Sequence, residues 1–406
     1  MKTILILGAG IEQAIAIKLA KEKGLKVVAV DGNPKAPGLK IADVGINADI
    51  KDVEAMIKIG KKYKVDGVMT HAVEIPQVVA KVAKALNLPG LDPEVAERAT
   101  NKLKRIKCLT KHGVPCPRFE TAKTVEEAKR KAEKIGFPCV FKPIDNAGAR
   151  GVIKVRNKDE IERAYKEAIS FSKFNFVLIE EYLEGHELST EAFVIGDEIY
   201  HTSFDDRNYK NKEKYFPYFV EDGGDLPTEL SEQEINKVKV VIEKAIKALG
   251  INFGAAKGDI VIDEEGPKIL EMAARTSGGF FCSVQTPVHN GIQILNPLIS
   301  ISVGNKIDRN DLRPRYSKPS IERYIMSKPG IIKSITGIEE AAKVPGIVFL
   351  KMFDEYKKNS LIPKTVGNIS KIGVIIGTGK TKEIAIKNTE RAVAMVKVEI
   401  IGDTYV

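Results

Sequence analysis

The sequence has 406 residues, of which 43% are hydrophobic and 29% are charged, and its formal net charge is +10. Lysine and glutamate alternate along the predicted helices, as in KRKAEK, which indicates solvated, ion-paired helix faces rather than a nucleic-acid surface. No apolar run approaches the roughly 18 residues that a membrane span requires, and the four cysteines include no C-x-x-C pair. We therefore expect a cytoplasmic protein of about three domains, at roughly 150 residues each, without structural zinc.

Residues 1–94 alternate between strand and helix patterns. The segments TILILGAG, KVVAVD and DGVMTH are predicted strands, and amphipathic helices separate them. Buried strands that are joined through helices predict a doubly wound parallel sheet.

The turn after the first strand resembles an incomplete dinucleotide-binding fingerprint. Gly8 and Gly10 follow that strand, and Asp31 closes the second strand at about the distance expected of a ribose-binding acid. Gln13 stands where the fingerprint has its third glycine, so close helix–strand packing by glycine is missing. We therefore favour a tight turn, or a turn whose N–H groups face a ligand carboxylate or phosphate, over a bound dinucleotide.

A helical pattern covers residues 92–113. Asp92 suits the N-cap position, because its carboxylate can accept a hydrogen bond from the first turn, and Pro93 suits that turn. The pattern predicts helix throughout this stretch, which carries Lys102.

Residues 137–155 read FPCVFKPIDNAGARGVIKV. A strand that carries Lys142 is followed by a small-residue loop with Gly148 and Gly151, and a second strand leads away. A lysine that faces a glycine-bearing loop can hold a polyphosphate, because the ammonium neutralises charge and the loop can fold its N–H groups over oxygens. The alternative is an ordinary hairpin with a solvated lysine.

The next elements are predicted from periodicity. A helix is expected over residues 158–170, followed by strands at FVLIEEYL, LSTEAFVIG and EIYHTSF. Residues 205–225 are polar, aromatic and poor in periodicity, which predicts a mobile and functional loop. A further helix is expected over residues 231–249.

Two acidic residues lie on a predicted hairpin formed by GAAKGDIVID and PKILEMAAR. In a hairpin of this length, Asp259 and Glu271 can face the same side, where they repel each other unless a positive charge lies between them. A hard divalent ion such as Mg²⁺ fits, because it takes carboxylate oxygens and bridges nucleotide phosphates. The alternative is a pair of surface acids bound to Lys257 and Lys268.

An arginine and a Gly-Gly turn follow the hairpin. Arg275 precedes Gly278 and Gly279 and can hold a carboxylate or an acyl phosphate, because its guanidinium is bidentate and the glycine backbone adds N–H donors. Upstream, the segment IEEYLEGHE leaves a strand in an extended form. Its backbone could pair with an adenine edge, and Glu187 could accept hydrogen bonds from ribose hydroxyls.

The tail has short strand patterns and one helix over residues 381–398, which predict a small α+β domain. We therefore predict three domains: an α/β domain at 1–94, a central domain at 95–308 with a lid lobe at about 114–183, and the tail at 309–406.

The ordered set of these features resembles the ATP-grasp superfamily over roughly residues 95–300. The set comprises Lys102, Lys142 with its loop, Glu180, Glu181, Tyr182, Leu183, Glu187, Asp259, and the run from Glu271 to Arg275. The GAG turn and the segment VDGNPKAPG resemble the N-terminal domain of that family. The resemblance implies α/β and α+β architecture: a doubly wound parallel sheet, a two-lobed ATP-grasp domain and a small C-terminal α+β domain.

The resemblance also implies a role for each of these positions. ATP phosphates would be bound by Lys102 and Lys142 and covered by the flexible loop that contains Asn146, Gly148 and Gly151. Adenine would be held by Glu180, Glu181, Tyr182 and Leu183, and ribose by Glu187. Asp259 and Glu271 would bind Mg²⁺, with Mn²⁺ as a possible substitute, and Arg275 would stabilise the acyl phosphate as the catalytic residue.

One position departs from the family pattern. Many members have asparagine two residues after the second acid, where this chain has Ala273. The metal site would then lose one oxygen ligand, so that water replaces it or only one magnesium ion binds tightly. The form E-x-A-x-R-x-x-G-G is similar to the L-amino-acid ligase branch, as is the tail with VPGIVFL and KIGVIIGTG.

The implied function is ATP-dependent ligation of a carboxylate to an amine through an acyl phosphate, with release of ADP and phosphate. The implied partners are small-molecule carboxylate and amine substrates and a second copy of the chain in a homodimer. Two alternatives stay open. One is a carboxylase or formate-dependent formyltransferase of the purine-biosynthesis type, favoured by VDGNPKAPG; the other is a non-catalytic ATP-binding protein, favoured by Ala273. A large pocket lined by residues 205–225 would favour an amino-acid ligand.

Overall fold

The computed structural model describes residues 1–146 and 148–401. Its first region is a four-stranded parallel sheet in the order β3-β2-β1-β4. All five residues of the first strand are buried, as expected of a strand that helices cover on both faces. The elements in chain order are β1 (Thr3–Leu7), α1 (Gln13–Glu22), β2 (Lys26–Asp31), α2 (Pro37–Ile41), β3 (Val44–Asn47), α3 (Val53–Tyr63), β4 (Gly67–Thr70) and α4 (Pro76–Ala85). The predicted doubly wound parallel domain is confirmed.

The helical stretch predicted over residues 92–113 is interrupted. It forms α5 (Pro93–Thr100) and α6 (Lys102–Lys111), with extended backbone at Asn101 between them. The Asn101 side chain accepts a hydrogen bond of 3.0 Å from the Lys104 amide and caps α6. An asparagine competes with the helix for backbone donors, so it ends one helix and begins the next. Lys102 is thereby the first residue of α6.

A four-stranded antiparallel sheet with two helices follows in the region predicted as the lid lobe, and we keep that name for these elements. The strand order is β5-β8-β6-β7, and apolar residues of both helices pack into one core with the strands. The elements are β5 (Phe119–Ala122), α7 (Val125–Ile135), β6 (Cys139–Lys142), β7 (Ile153–Val155), a short 3-10 turn (Lys158–Glu160), α8 (Ile161–Ser170) and β8 (Val177–Glu181).

The central sheet has eight strands in the order β13-β12-β9-β10-β11-β14-β18-β16. A long helix, capped by a reciprocal Ser231–Glu234 capping box, packs on it. The elements that precede the tail are β9 (His186–Ile195), β10 (Glu198–Asn208), β11 (Gly223–Leu226), α9 (Glu232–Leu249), β12 (Phe253–Asp263), β13 (Gly266–Ala273), a π-helical turn (Phe281–Gln285), α10 (Thr286–Asn290) and α11 (Leu295–Ser302).

The tail contributes strands to the central sheet and also forms a three-stranded sheet in the order β17-β15-β19. Its elements are a 3-10 turn (Arg309–Leu312), β14 (Ser320–Ile325), β15 (Gly330–Thr336), α12 (Ile338–Ala342), β16 (Ile347–Met352), β17 (Leu361–Ile362), a second 3-10 turn (Asn368–Ser370), β18 (Gly373–Thr378), α13 (Lys382–Met395) and β19 (Lys397–Ile401). The predicted helix over 381–398 therefore ends early, because the β-branched run that follows pairs with β15. The tail is α+β as predicted, but β14 joins it to the central sheet through β11.

The loop predicted over residues 205–225 is partly wrong. Its first residues lie in β10 and its last in β11, and the segment between them, 209–222, docks onto the lid lobe. The Lys154 amide donates a hydrogen bond of 2.9 Å to the Pro217 carbonyl, and Arg156 pairs with Glu213 at 2.6 Å. The Arg156 guanidinium also lies 3.7 Å from the centre of the Phe216 ring. Aromatic surface and backbone pairing therefore order a segment whose sequence lacks periodicity.

No helix among residues 1–146 and 148–401 combines the length and apolar character that a membrane crossing requires.

Candidate active site

Lys142 ends strand β6 beside strand β8. Its ammonium contacts the Glu180 carboxylate, and the two side chains are 16% and 5% exposed. A buried ion pair is held in one geometry because either charge alone would be costly to bury. The strand end therefore fixes a cation at the edge of the lid lobe.

The loop after Lys142 is tied to α6. The Lys102 ammonium donates a hydrogen bond to the Asn146 carbonyl, and the Asn146 amide donates one of 3.3 Å to the Phe171 carbonyl. Burial lowers the pKa of Lys102, although the nearby Glu271 carboxylate opposes this shift. Lys142 also lies within electrostatic range of Lys102, so two ammonium groups flank one loop.

The two glycines of this loop adopt left-handed backbone conformations, with φ of +67° at Gly148 and +72° at Gly151. Gly151 also packs against the Phe171 ring, since a Cβ at this position would lie 2.9 Å from a ring carbon. The Gly148 carbonyl accepts a hydrogen bond of 3.2 Å from the Asn368 amide of the tail. Glycine is therefore required at Gly151 both by conformation and by space. Ala147 lies outside the described residues.

The connection between β8 and β9 lines a cavity at the junction of the two lobes. Tyr182 and Glu187 face it together with Lys154, Tyr209 and Phe219. The Lys154 ammonium lies 3.6 Å from the centre of the Tyr182 ring. Sequence reasoning missed these three additional residues, although the aromatic composition of 205–225 was a signal for two of them.

Glu181 and Glu187, at either side of the connection between β8 and β9, lie in different environments. Glu181 accepts hydrogen bonds from the Arg118 side chain at 3.0 Å and the Arg118 amide at 3.2 Å, so its side chain is directed to the outer edge of the sheet. Burial raises the pKa of Glu187, and the Arg207 guanidinium opposes that shift. Leu183 is buried. Glu187, rather than the Glu181 side chain, thus lines the cavity.

Asp259 and Glu271 lie directly opposite each other in the hairpin of β12 and β13. Asp259 contacts the Lys257 ammonium, lies 3.4 Å from an Arg207 guanidinium nitrogen and accepts a 3.0 Å hydrogen bond from the Ser189 hydroxyl.

Glu271 lies 3.7 Å from the Arg105 guanidinium. The alternative pairing with Lys257 and Lys268 is confirmed for Lys257, which contacts Asp259. It is wrong for Lys268, which pairs with Asp263 and Glu265 at 2.8 and 2.6 Å.

Cations keep this pair of acids ionised. Burial alone would raise the pKa of Glu271, but Arg105, Lys257 and Lys102 together hold that pKa below its usual range. The pKa of Asp259 is likewise lowered: burial and the Glu271 charge raise it, and Lys257 and Arg207 outweigh them. Two ionised carboxylates therefore face one point between the lobes.

Arg275 follows the hairpin and reaches the first domain. Its Nε lies 2.5 Å from the Glu74 carboxylate, and its Nη1 donates a 2.9 Å hydrogen bond to the Thr276 carbonyl. Burial would lower the pKa of Arg275, but Glu74 and Glu271 raise it above its ordinary value. The guanidinium is therefore a fixed positive charge near Glu271.

A carboxylate of the first domain binds N–H donors at the Gly-Gly turn. The amides of Gly279 and Phe280 donate hydrogen bonds of 3.1 and 3.0 Å to the Glu12 carboxylate. The expectation that the glycine amides add donors for a ligand is wrong for Gly279 in this conformation, because its amide is bound by Glu12 from the first domain.

The turn after β1 is closed by its own side chains. Asp31 accepts hydrogen bonds of 2.7 Å each from the Ala9 and Asn33 amides. Gln13 crowds Gly10, where a Cβ would lie 2.7 Å from its amide oxygen. The Asp31 carboxylate thus holds the turn itself, in keeping with the tight turn that the sequence favoured over a dinucleotide site.

Glu191 is a buried acid beside this site that sequence reasoning did not identify. It is 1% exposed and accepts a 2.9 Å hydrogen bond from the Ser277 amide. Burial raises its pKa to about 7. Because the folded pKa exceeds the unfolded one, the stability that the protonated carboxyl provides is complete below about pH 4.5 and is lost as pH rises through 7.

We expect Glu191→Gln to remove that loss. The free energy of unfolding of the variant, measured relative to that of the parent, should rise by roughly 3 kcal/mol between pH 4.5 and 8. Denaturant titrations at both pH values measure the difference, with the exposed Glu232→Gln as the control. Equal pH dependence in Glu191→Gln and the parent would contradict the assignment.

Three family models match the chain. Residues 99–279 match the ATP-grasp domain, residues 323–400 match the L-amino acid ligase C-terminal domain 2, and residues 4–82 match the PylC-like N-terminal domain. Together they account for the first sheet, the two lobes around the candidate site and the tail.

Whole-length similarities agree with these matches. The chain is 23% identical over 421 residues to the formate-dependent phosphoribosylglycinamide formyltransferase of Prochlorococcus marinus, covering 98% of this chain and 97% of that protein. The L-amino acid ligase of Bacillus licheniformis has a similar fold, with a TM-score of 0.85 and 21% identity over 99% of both chains.

The biotin carboxylase domain of the Hydrogenobacter thermophilus 2-oxoglutarate carboxylase, solved as a dimer with MgADP and bicarbonate, is also similar in fold. Its TM-score is 0.76 at 21% identity, covering 98% of this chain and 90% of that one. The family match over residues 99–279, and the cations and acids that the two lobes bring together, show that this part of the chain is an ATP-grasp domain.

Proposed function

We propose that the protein activates a small carboxylate with MgATP, bound between the lid lobe and the central sheet, and joins it to an amine. The observation that carries the proposal is the convergence of four cations on Glu271, namely Arg105, Lys257, Lys102 and Arg275. A site with this excess of positive charge suits a polyphosphate, whose charge the cations neutralise. ADP and phosphate are the expected products.

The proposed nucleotide contacts follow the layout of the two lobes. Lys102 and Lys142 bind phosphates, and the loop with Asn146, Gly148 and Gly151 covers them. The connection from Glu180 to Leu183 holds adenine, chiefly through its backbone, because the Glu181 side chain is already bound by Arg118. Glu187, at the cavity wall, accepts hydrogen bonds from ribose.

The residues present fit a magnesium ion that is shared with phosphates. Among the described residues, no three His, Cys, Asp or Glu side chains are grouped as a complete metal cage. Mg²⁺ is commonly held by one or two carboxylates plus substrate phosphates and water, so Asp259 and Glu271 suffice, and Mn²⁺ could replace it. When bound, the ion would neutralise charge on the phosphates.

Ala273, which stands where many family members have asparagine, lies opposite a lysine. Ala273 is fully buried and is the register partner of Lys257 across the hairpin. The Lys257 ammonium contacts Asp259, which lies two residues further along the same strand β12. A fixed cation therefore stands beside the carboxylate pair, which supports a site that needs one divalent ion.

In the proposed reaction, a carboxylate oxygen attacks the γ-phosphorus as the bond to the β-phosphate oxygen breaks. The amine nitrogen then attacks the acyl carbon, phosphate leaves with the former carboxylate oxygen, and the amine loses a proton to phosphate or water. Arg275 neutralises the oxygens of the acyl phosphate. Positioning and charge neutralisation supply most of the rate, and no side chain is required as a nucleophile.

The second candidate is a ligase that takes formate or bicarbonate as the carboxylate. The whole-length similarity to a formate-dependent formyltransferase favours it, whereas the tail match to L-amino acid ligases favours an amino acid. A non-catalytic ATP-binding protein is the third.

An ADP-release screen separates these candidates. Purified protein with MgATP is offered each common L-amino acid, formate or bicarbonate, with and without a panel of amines. ADP release that requires both a carboxylate and an amine is the expected result. Tight MgATP binding without ADP release from any combination would contradict the proposal and favour the non-catalytic protein.

We further propose a cytoplasmic homodimer. The four cysteines are free, which suits a reducing compartment, and light scattering of the purified protein measures the oligomeric state.

A further inference from the structure

The tail reaches the lid lobe through two residues that follow strand β17. We call residues 148–151 of the lid lobe the glycine turn. The Asn368 amide donates a hydrogen bond of 3.2 Å to the Gly148 carbonyl. Gly367 packs against the same backbone, since a Cβ on Gly367 would lie 3.1 Å from the Gly148 oxygen and 3.3 Å from the Ala149 carbonyl carbon. The tail therefore contacts the loop that we propose covers the phosphates.

The backbone of the glycine turn depends on such contacts. Ala149 has a φ of +58° and Gly148 one of +67°, and the left-handed region is unfavourable for alanine because its Cβ crowds the backbone. A residue in this conformation persists where its surroundings hold it. Within the turn, the Val152 amide donates a hydrogen bond of 3.2 Å to the Ala149 carbonyl. Gly367 of the tail supports that carbonyl group from outside.

The Asn368 side chain joins the tail to the segment 209–222. Its Oδ1 accepts a hydrogen bond of 3.1 Å from the Glu221 amide. The same segment binds strand β7, which follows the glycine turn, because the Lys154 amide donates a hydrogen bond of 2.9 Å to the Pro217 carbonyl. The glycine turn, the tail and the segment are therefore linked to one another, with Asn368 at the junction, and movement of the turn breaks its hydrogen bond to the tail.

Glu221 continues this linkage to the proposed metal site. Its carboxylate lies 2.9 Å from Arg207 Nε, and Arg207 Nη1 lies 3.4 Å from the Asp259 carboxylate. The side chains of Arg207 and Glu221 are only 13% and 17% exposed. Such pairs hold a fixed geometry because separating them would leave a buried charge uncompensated. The residue that positions Asn368 is thus held by the same guanidinium that accompanies Asp259.

We propose that Asn368 is a positioning residue for the ATP-dependent step. Its amide binds the glycine turn and its side chain binds the segment 209–222, so that the tail holds the turn in place over the nucleotide phosphates. A turn held in this way keeps its N–H groups aligned with the phosphates and limits the entry of water. The inference rests on the proposed ligase function and gives the tail a direct part in it.

Limited digestion of the whole protein with trypsin tests the contact itself. Arg150 is exposed within the glycine turn, so the rate of cleavage after Arg150 reports how often the turn opens. Asn368→Pro removes the amide N–H and the side-chain acceptor together, and a proline suits the first residue of a 3-10 turn. With Mg²⁺ and a saturating non-hydrolysable ATP analogue, cleavage after Arg150 should be at least three-fold faster in this variant than in the parent.

Three further variants separate positioning from a general loss of structure. Asn368→Ala removes only the side-chain acceptor and should give an intermediate rate of cleavage, and it decides the matter if Asn368→Pro does not fold. Asn368→Asp keeps the amide and an acceptor and should be cleaved like the parent. Asn310→Ala, at an exposed asparagine in the 3-10 turn before β14, is the control and should also match the parent. In turnover, Asn368→Pro should raise the KM for MgATP and lower kcat, roughly three- to ten-fold each, and Asn368→Asp should restore both.

Two results would overturn the inference: equal rates of cleavage after Arg150 in the parent and the folded Asn368 variants, or a KM for MgATP that these variants leave unchanged. Failure of the proposed function has a different signature. In that case cleavage after Arg150 depends on Asn368, but no combination of carboxylate and amine leads to ADP release.

Discussion

Glu271→Gln is expected to lower the rate of ADP release by roughly a hundred-fold or more, since it removes a charged oxygen ligand from the proposed magnesium site. The loss of charge also changes the electrostatics, because Arg105, Lys102 and Arg275 then face a neutral side chain. The Mg²⁺ concentration required for half-maximal activity should rise. Initial rates of ADP formation across a magnesium titration measure both effects.

Glu264→Gln is the matched control for this experiment, because Glu264 is exposed at the turn of the same hairpin. Its rate and magnesium requirement should equal those of the parent. Chelation of divalent ions should abolish ADP release in all three proteins. A normal magnesium requirement in Glu271→Gln would show that this carboxylate does not bind the ion.

Lys142→Ala should weaken MgATP binding by roughly ten- to a hundred-fold, which corresponds to the loss of a charge-assisted contact to phosphate. The substitution also leaves Glu180, which is 5% exposed, as an uncompensated negative charge that repels the nucleotide. Titration with a fluorescent ATP analogue measures the affinity. Affinity equal to that of the parent would contradict the proposed phosphate site.

Because Lys142 and Glu180 form a buried ion pair, stability must be separated from binding. The double variant Lys142→Met/Glu180→Gln removes both charges and should regain stability that Lys142→Ala loses. It should still bind MgATP weakly. Lys158→Ala is the control for lysine removal, because its ion pair with Glu133 lies on the same lobe and is largely exposed.

The ordered segment 209–222 changes how the proposed nucleotide cavity is understood. It supplies Tyr209 and Phe219 to the cavity wall and binds strand β7 through Pro217. The sequence had linked this region to an amino-acid pocket, whereas the structure brings its aromatic residues to Tyr182 and Glu187. The case for an amino-acid substrate therefore rests on the tail match to L-amino acid ligases instead.

The sequence by itself determined those features whose geometry depends on neighbouring residues in the chain. The opposition of Asp259 and Glu271 followed from a short turn between two apolar strands, because turn length fixes the register of a hairpin. The position of Lys142 at a strand end followed from Pro143, and the start of α9 followed from Ser231, whose side chain caps it. In each case the residues that decide the geometry are close neighbours in the chain.

Only the tertiary structure decided which distant side chains contact the residues of the site. Arg275 is paired with Glu74, which is 201 residues away, and the Gly279 amide with Glu12, which is 267 residues away. Strand β14 of the tail joins the central sheet because it pairs with β11. Periodicity predicts that a segment is a strand but carries no information about its neighbour, since any strand edge offers the same backbone donors and acceptors. The residues proposed to bind the polyphosphate were therefore visible in the sequence, whereas Glu74 and Glu12, which pair with Arg275 and Gly279, were not.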